Sequence, residues 1–214
     1  MKYELQEVRP AEIEKKSMEI ITRELAGKAI DPQNEQVIKR VIHTTADFDY
    51  AENLVFSQGV VQKAVEAVKS GACIVTDTQM AKAGINKKAL ASFGGEVFCF
   101  MSDEDVARAA EREGTTRAVQ SMEKACEIRC PLIFAIGNAP TALVKLCELI
   151  DEKKVEPKVV IGVPVGFVNV VESKELLLAH AGIPQIVSRG RKGGSNVAAA
   201  ICNAILYTAM GRSL

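Results

Sequence analysis

Hydrophobic residues recur at helical spacing through the first seventy residues of the chain. This spacing predicts three amphipathic helices, because side chains three and four positions apart share one helix face. The first helix is predicted to end near Gly27, and Asp31 followed by Pro32 has the residue types that begin a second. Ser57 is the predicted N-cap of the third. This part of the chain is therefore expected to form a helical layer.

After Gly71 the pattern changes to short apolar runs, each followed by a loop and a helical pattern. The runs lie at 72–76, 96–100, 132–137, 158–163 and 184–188. Runs that are apolar on both faces and separated by helices are typical of buried parallel strands. The sequence thus predicts one α/β domain over residues 1–214. It combines the helical layer, residues 1–70, with a five-stranded, mainly parallel sheet over residues 71–214.

In an open parallel sheet, ligands bind beyond the carboxyl ends of the strands. Two segments at those ends combine a turn with a helix start, "GNAPTA" at 137–142 and "RGRKGGS" at 189–195. Either would suit a phosphate or a carboxylate, because a helix N-terminus offers free N–H groups and a positive dipole. Ordinary β–α turn chemistry explains the same glycine and proline residues. Neither segment is a GxGxxG or Walker motif, which disfavours a dinucleotide or a nucleoside triphosphate.

Phe167 and Ser17 each allow a packing interpretation and a ligand-facing one. Phe167 lies in "PVGFVN", just beyond a predicted strand, where its ring would either cover a flat ligand or pack under the following helix. Ser17 falls among the isoleucines of the first predicted helix. It would either permit close packing or present a buried hydroxyl to a ligand.

The stretch "RVIHTTAD", residues 40–47, contains His43, one of only two histidines in the chain. Helical periodicity puts Arg40, His43 and Asp47 together on the polar face of the second helix. This face is either a solvated surface or the wall of a cleft in which His43 transfers a proton near neutral pH. Arg40 would favour the neutral imidazole and Asp47 the charged one, and the sequence leaves that choice open.

Arg117 breaks a local rule of helix electrostatics. Gly114 ends one predicted helix and Thr115 or Thr116 caps the next, which puts Arg117 in a first turn where the dipole disfavours a cation. An anionic ligand or a carboxylate of a partner subunit would compensate, and the alternative is a solvated arginine. The other histidine, His180, is expected to be structural, because it sits at a predicted helix C-terminus.

Composition narrows the classes of partner and compartment. The chain has 27 basic and 27 acidic residues, a balance that does not favour nucleic acid. No apolar run approaches the length of about 18 residues needed to cross a membrane. Six cysteines without a signal-peptide pattern predict a reduced, cytoplasmic protein. Cys126 and Cys130 are one helical turn apart, but the chain offers too few further ligands to favour a metal site.

Five segments together resemble the precorrin-8X methylmutase family, called cobalt-precorrin-8 methylmutase in the anaerobic branch. They are "RVIHTT", "GTTRAV", "AIGNAPTAL", "GVPVGFVNVVESKE" and "SRGRKGGSNVAAA", and the resemblance runs from about Ser17 to near residue 210. It implies a flavodoxin-like α/β/α sandwich that forms a homodimer, with active sites at the subunit interface. The implied activity is an isomerisation in cobalamin biosynthesis. A methyl group moves from C11 to C12 of the corrinoid ring by a formal 1,5-sigmatropic shift, without an organic cofactor, and gives hydrogenobyrinic or cobyrinic acid.

The resemblance also implies roles for particular residues. His43 matches the catalytic histidine, Ser17 and Arg40 match substrate contacts, and Arg117 matches an arginine supplied by the other subunit. Rim positions around the macrocycle match Gly137, Asn138, Ala139, Pro164, Gly166, Phe167, Arg189 and Gly190. Two alternatives remain at this stage, a non-enzymatic corrinoid carrier and a flavodoxin-like domain that binds phosphate or a flavin. Whether cobalt is present in the substrate, and whether product passes directly to an adjacent pathway enzyme, stay open.

Overall fold

The computed structural model describes residues 8–212, which contain six strands in one sheet and eleven α-helices. The strands are β1 Leu54–Phe56, β2 Cys73–Thr76, β3 Val97–Phe98, β4 Leu132–Ile136, β5 Val159–Gly162 and β6 Gln185–Ser188. The helices are α1 Ile13–Glu24, α2 Glu35–Thr45, α3 Tyr50–Asn53, α4 Val60–Lys69, α5 Gln79–Gly84, α6 Lys87–Ala91, α7 Glu104–Glu113, α8 Arg117–Ala125, α9 Pro140–Asp151, α10 Val170–Ala179 and α11 Ser195–Ala209. A single 3₁₀ turn, Pro10–Glu12, precedes α1.

The sheet order is β1-β6-β5-β4-β2-β3. Strands β2 to β6 are all parallel, and counted among themselves they follow the order 2-1-3-4-5 of flavodoxin-like folds. The five predicted strands and the α/β class are therefore confirmed. The strand count was wrong by one, because β1 pairs antiparallel with β6 at the sheet edge. Three residues between two helices are too short to show a strand pattern in the sequence.

Alternate side chains of the strands pack into two separate cores, one on each face of the sheet. Ile74, Ile133 and Ile161 face the core formed with α1, α2, α4 and α11. Val75 and Phe134 face the core formed with α8, α9 and α10. This arrangement is the predicted three-layer α/β/α sandwich. It also places α2 and α8 on opposite faces of the sheet.

The predicted helix boundaries in the first seventy residues need correction. Helix α1 ends at Glu24, before Gly27, and α2 begins only after Asn34, so the Asp31-Pro32 pair forms a turn instead of the helix start. Ser57 does not cap α4, whose N-cap is Gly59 in the left-handed region at φ 65°. The Ser57 hydroxyl instead accepts the N–H of Gln185 at 2.9 Å. Because β1 lies within it, the segment 1–70 is not wholly helical.

Asp77 directly follows β2 and joins three elements through one buried carboxylate. Its Oδ1 accepts the N–H of Gly137 at 2.8 Å, and its Oδ2 accepts those of Asn138 at 2.8 Å and Ala139 at 2.6 Å. Asp77 is fully buried, and this burial raises the pKa of its carboxyl group while the three N–H donors oppose the rise. The carboxylate therefore binds, from inside the protein, the turn that leads into α9.

Lys174 in α10 holds a second loop at the same end of the sheet. Its side chain is fully buried, and its Nζ donates to the carbonyl oxygens of Gly190 and Lys192, each at 2.8 Å. The hydroxyl of Ser188 donates to the same Lys192 oxygen. Burial lowers the pKa of Lys174 to about 8. A buried ammonium group thus fixes the path of the loop after β6.

No helix within residues 8–212 is long and apolar enough to span a lipid bilayer. The same residues contain no group of three or more His, Cys, Asp or Glu side chains arranged to hold a metal ion.

We predict that Asp77→Asn destabilises the fold strongly. The amide nitrogen would face N–H donors, so at least one buried N–H would lose its acceptor at a cost of about 2–3 kcal/mol in the free energy of unfolding. Urea unfolding at pH 7 measures this loss. The matched control is Asp105→Asn, which removes an exposed partner of Lys124 and should lower the free energy of unfolding far less. Equal losses in the two variants would contradict the buried cap.

We predict that Lys174 makes stability rise with pH. Its folded-state pKa of about 8 lies below the ordinary 10.5, so between these values the unfolded chain binds more protons than the folded one. The free energy of unfolding of the parent should therefore rise relative to Lys174→Met across this window, as urea unfolding at several pH values would measure. Relative to Lys124→Met the difference should stay flat, because the pKa of Lys124 is raised above 10.5. A flat or falling difference for Lys174→Met would refute the assignment.

Candidate active site

The loops at the carboxyl ends of the parallel strands pack against one another. The hydroxyls of Thr78 and Ser195 lie 2.8 Å apart and join the loop after β2 to the start of α11. A Cβ atom at Gly137 would lie only 2.9 Å from the carbonyl oxygen of Gly194, so glycine is required for this approach. The N–H of Gly194 donates to the oxygen of Val163 at 2.9 Å. Four loops therefore form one continuous rim.

The "GNAPTA" loop does not offer the free anion site that its sequence suggested. The N–H groups of Gly137, Asn138 and Ala139 all donate to Asp77. This position lies between β2 and β4, where the strand order reverses and where open sheets usually bind ligands. An external phosphate or carboxylate would have to displace a buried carboxylate there. The exposed side chain of Asn138 is what this loop presents to a ligand.

The "RGRKGGS" loop turns its arginine side chains outward. Gly190 adopts φ 74°, in the left-handed region, and its carbonyl points inward to Lys174. Arg189 and Arg191 are exposed, and the nearest carboxylate oxygen to Arg189 Nε belongs to Glu175 at 3.8 Å. Two guanidinium groups therefore stand at the rim, available to bind carboxylates of a ligand.

The "PVGFVN" loop presents apolar surface beside those arginines. Phe167 is 82% exposed and Val168 is 77% exposed, so the interpretation that Phe167 packs under the following helix is wrong. The guanidinium of Arg191 lies over the Phe167 ring, 5.4 Å from its centroid. Gly166 donates its N–H to the oxygen of Arg191 at 3.2 Å, and Pro164 is buried beneath. The two loops thus form one surface that combines an exposed aromatic ring with positive charge.

His43 lies in the last turn of α2 and is half-buried. Helix α2 ends at Thr45, and the residues after it reach the loop that follows β6, where Lys192 Nζ lies 2.6 Å from carboxylate oxygens of both Asp47 and Asp49. Within residues 8–212 the ring nitrogens of His43 make no hydrogen bond, whereas both ring nitrogens of His180 do. His43 therefore lies at the same end of the sheet as the arginine loop, with its ring nitrogens available.

Arg40 contacts α1 and α11, and Ser17 bonds within α1. The Arg40 guanidinium forms an ion pair with Glu14 and lies 5.1 Å from the ring centroid of Tyr207. It lines a groove of about 480 Å³ together with those residues and Met18. Its Nε is buried without a hydrogen-bond partner in the described part of the chain. The Ser17 hydroxyl donates to the Ile13 oxygen of its own helix at 2.9 Å.

Arg117 occupies the first position of α8, as predicted. Thr116 is the N-cap, accepting the N–H of Val119 at 3.2 Å, and its hydroxyl lies 3.2 Å from that of Thr141 in α9. Arg117 is exposed, and no carboxylate in residues 8–212 lies within ion-pair distance of it. Because α8 and α2 lie on opposite faces of the sheet, Arg117 and His43 of one chain belong to different layers.

Sequence reasoning missed the two buried charges. Asp77 lies in the segment "TDTQ", directly after a buried strand. An acidic residue at that position indicates a carboxylate with specific hydrogen-bond partners. Lys174 lies four positions after Val170 and three before Leu177, both buried. It therefore occupies the apolar face of α10, and this periodicity was the available signal.

Comparisons with known proteins agree in fold and family. A family model described as precorrin-8X methylmutase matches residues 12–208. The cobalt-precorrin-8 methylmutase of Salmonella typhimurium is 50% identical over 177 residues, covering 82% of each chain. That of Priestia megaterium is 46% identical over 198 residues, covering 92% of this chain and 88% of the relative.

A solved structure shows the same fold. The crystal structure of precorrin-8X methylmutase from Thermus thermophilus superposes with a TM-score of 0.85 at 37% identity, covering 94% of this chain and 98% of that one. The motif-based prediction of the family is therefore confirmed, and with it the prediction of an isomerase. The chain belongs to the precorrin-8X methylmutase family.

Proposed function

We propose that this protein moves a methyl group from C11 to C12 of the corrinoid ring in cobalamin biosynthesis, with His43 as the proton donor and acceptor. The observation that carries the proposal is the position of His43, which lies at the same end of the sheet as the exposed Arg189 and Arg191. The relatives at 46% and 50% identity are named cobalt-precorrin-8 methylmutase. We therefore propose a substrate that carries cobalt, with cobyrinic acid as the product.

The chemistry of the rim suits a large, flat and polyanionic substrate. A corrinoid ring needs apolar cover for its plane, and Phe167 with Val168 offers exposed apolar surface. Its carboxylate side chains need separated cationic donors, which Arg189, Arg191 and Arg117 provide. Pro164, Gly166 and Gly190 shape this rim, and Gly137, Asn138 and Ala139 border it with their N–H groups already occupied by Asp77. Ser17 and Arg40 would contact side chains of the ring near α1.

The proposed reaction needs a single acid–base group. In a 1,5-shift the bond from the methyl carbon to C11 breaks as its bond to C12 forms, and the double bonds of the ring rearrange. No nucleophile is required of the protein. Protonation of the conjugated ring by His43 eases the shift and commits the product tautomer. His180 is excluded from this role, because its ring is bonded to the Leu176 oxygen and to Asp151 at the end of α10.

We also propose that the active form is a homodimer with its sites at the subunit interface. His43 and Arg117 lie on opposite faces of the sheet in one chain, and a second subunit would bring an Arg117 to each His43. The exposed Phe167 and Val168 are the kind of surface that such an interface covers. Each chain would act as one domain, residues 1–214, in the cytoplasm, where its six free cysteines would stay reduced.

Two other functions have less support. A flavin or phosphate site would use the turn into α9, whose N–H groups at residues 137–139 already donate to Asp77. A corrinoid carrier would use the same rim without turnover, so a catalytic assay separates it from a mutase.

We predict that His43→Ala lowers turnover of cobalt-precorrin-8 by about 10²–10⁴-fold, the usual contribution of one general acid or base. Binding of cobyrinic acid, followed by the visible spectrum, should stay within about threefold, because binding depends on the rim. His180→Ala is the matched control and should keep full activity. A His43→Ala protein that turns over normally would refute the acid role.

We predict that two inactive variants restore activity when they are mixed. In a shared site, a dimer of one His43→Ala chain and one Arg117→Ala chain contains one site with both native residues. After subunit exchange by mild denaturation, turnover should recover to about a quarter of the parent value, because half the dimers are mixed. Without exchange, the mixture should remain inactive. No recovery after verified exchange would contradict a site shared between subunits.

A further inference from the structure

Lys192 connects the end of α2 to the loop after β6. Its Nζ lies 2.6 Å from Oδ2 of Asp47 and 2.6 Å from Oδ2 of Asp49, two residues in the short segment between α2 and α3. The N–H of Asp49 also donates to Oδ1 of Asp47 at 3.0 Å, which orients the pair. His43 lies in the last turn of the same helix. One ammonium group therefore holds the helix end nearest the proposed acid.

The main chain of Lys192 is itself held from the protein interior. Its carbonyl oxygen accepts from Lys174 Nζ at 2.8 Å and from the hydroxyl of Ser188. Lys174 also binds the oxygen of Gly190, so it fixes the loop at two points. Lys192 is thus restrained at both its backbone and its side-chain end. A continuous chain of contacts runs from the interior to the end of α2.

The buried charge in this chain of contacts is difficult to explain by fold stability. Lys174 is fully buried, and no carboxylate in residues 8–212 lies within ion-pair distance of its Nζ. Among the described residues, its hydrogen-bond partners are carbonyl oxygens of the rim loop alone. Burying an ammonium group without a counter-charge costs desolvation free energy, which hydrogen bonds to carbonyl oxygens offset only in part. A costly residue at the edge of a site points to a requirement of function.

We infer that Lys174 and Lys192 together form a strut that positions the His43 imidazole relative to the rim. The strut runs from Lys174 through the loop after β6 to Lys192, and from there to Asp47 and Asp49. Lys192 is a positioning residue, since it acts through carboxylates of the segment that follows α2. The inference rests on the proposed acid role of His43 and adds how the fold sets its geometry. Proton transfer depends steeply on placement, and an error of about 1 Å in a reacting group can cost up to 10²-fold in rate.

The test compares Lys192→Met with Lys124→Met. Both lysines bridge two aspartates on a partly exposed surface, but Lys124 binds Asp103 and Asp105 beside α7 and α8. Steady-state kinetics with cobalt-precorrin-8 should show kcat lowered about 10–100-fold in Lys192→Met and KM changed less than about threefold. Lys124→Met should match the parent in both. A loss confined to KM would overturn the strut, because it would indicate direct contact with the substrate.

A second readout reports on His43 without catalysis. Only two histidines are present, so His180→Gln leaves one imidazole signal in a heteronuclear NMR spectrum. In the ligand-free protein, Lys192→Met should shift or broaden that signal, and Lys124→Met should not. An unchanged signal would overturn the strut, whereas an active His43→Ala protein would instead refute the acid role, so the two failures are distinguishable.

The aspartate side of the strut supplies a reciprocal test. The double variant Asp47→Asn, Asp49→Asn should reproduce the loss in kcat, and adding Lys192→Met to it should lower kcat by less than about twofold more. Additive losses would overturn the proposal, because they would show that the lysine and the aspartates act independently.

Discussion

The arrangement at the carboxyl end of the sheet depends on the bonding of one buried carboxylate. Asp77 accepts three consecutive N–H groups of the turn into α9, and in doing so it ties β2 to β4 where the strand order reverses. These donors belong to the turn that precedes α9, and a buried N–H such as that of Gly137 needs an acceptor. A carboxylate is suited to this position because it accepts several bonds at once and opposes the positive end of the helix dipole. With this end of α9 fixed, the neighbouring loops can pack closely.

One consequence is that the turn at residues 137–139, where this topology usually binds anions, keeps no backbone N–H for a ligand. The N–H groups at the reversal point are already satisfied, so the cations that remain available are side chains. Arg189 and Arg191 stand on a loop whose carbonyls are drawn inward by Lys174, and this leaves their guanidinium groups exposed. Two separated guanidinium groups suit a ligand with several carboxylates, because each can bind one carboxylate through two hydrogen bonds.

The two buried charged residues, Asp77 and Lys174, have opposite signs, and both bind the main chain of a loop. Asp77 satisfies N–H groups and Lys174 satisfies carbonyl oxygens, and neither pairs with a charged side chain among the described residues. Each side chain loses its hydration and gains several hydrogen bonds to the main chain of a loop. These directional bonds fix the loop conformation more firmly than apolar packing would. The loops at the rim are therefore held in defined conformations, and the cost is the free energy of removing two charged side chains from water. Natural proteins commonly accept such local losses of stability at functional sites.

The sequence by itself determined the layers, five of the six strands and the family, because apolar periodicity and contiguous motifs are local properties. It also placed His43 on a polar helix face and Arg117 in the first turn of α8. Only the tertiary structure showed that the "GNAPTA" N–H groups are occupied, because their partner lies 60 residues away at Asp77. It likewise decided that Phe167 is exposed and that Lys192 reaches Asp47, 145 residues distant. Such pairings depend on which strand ends become neighbours, and no local pattern encodes that choice.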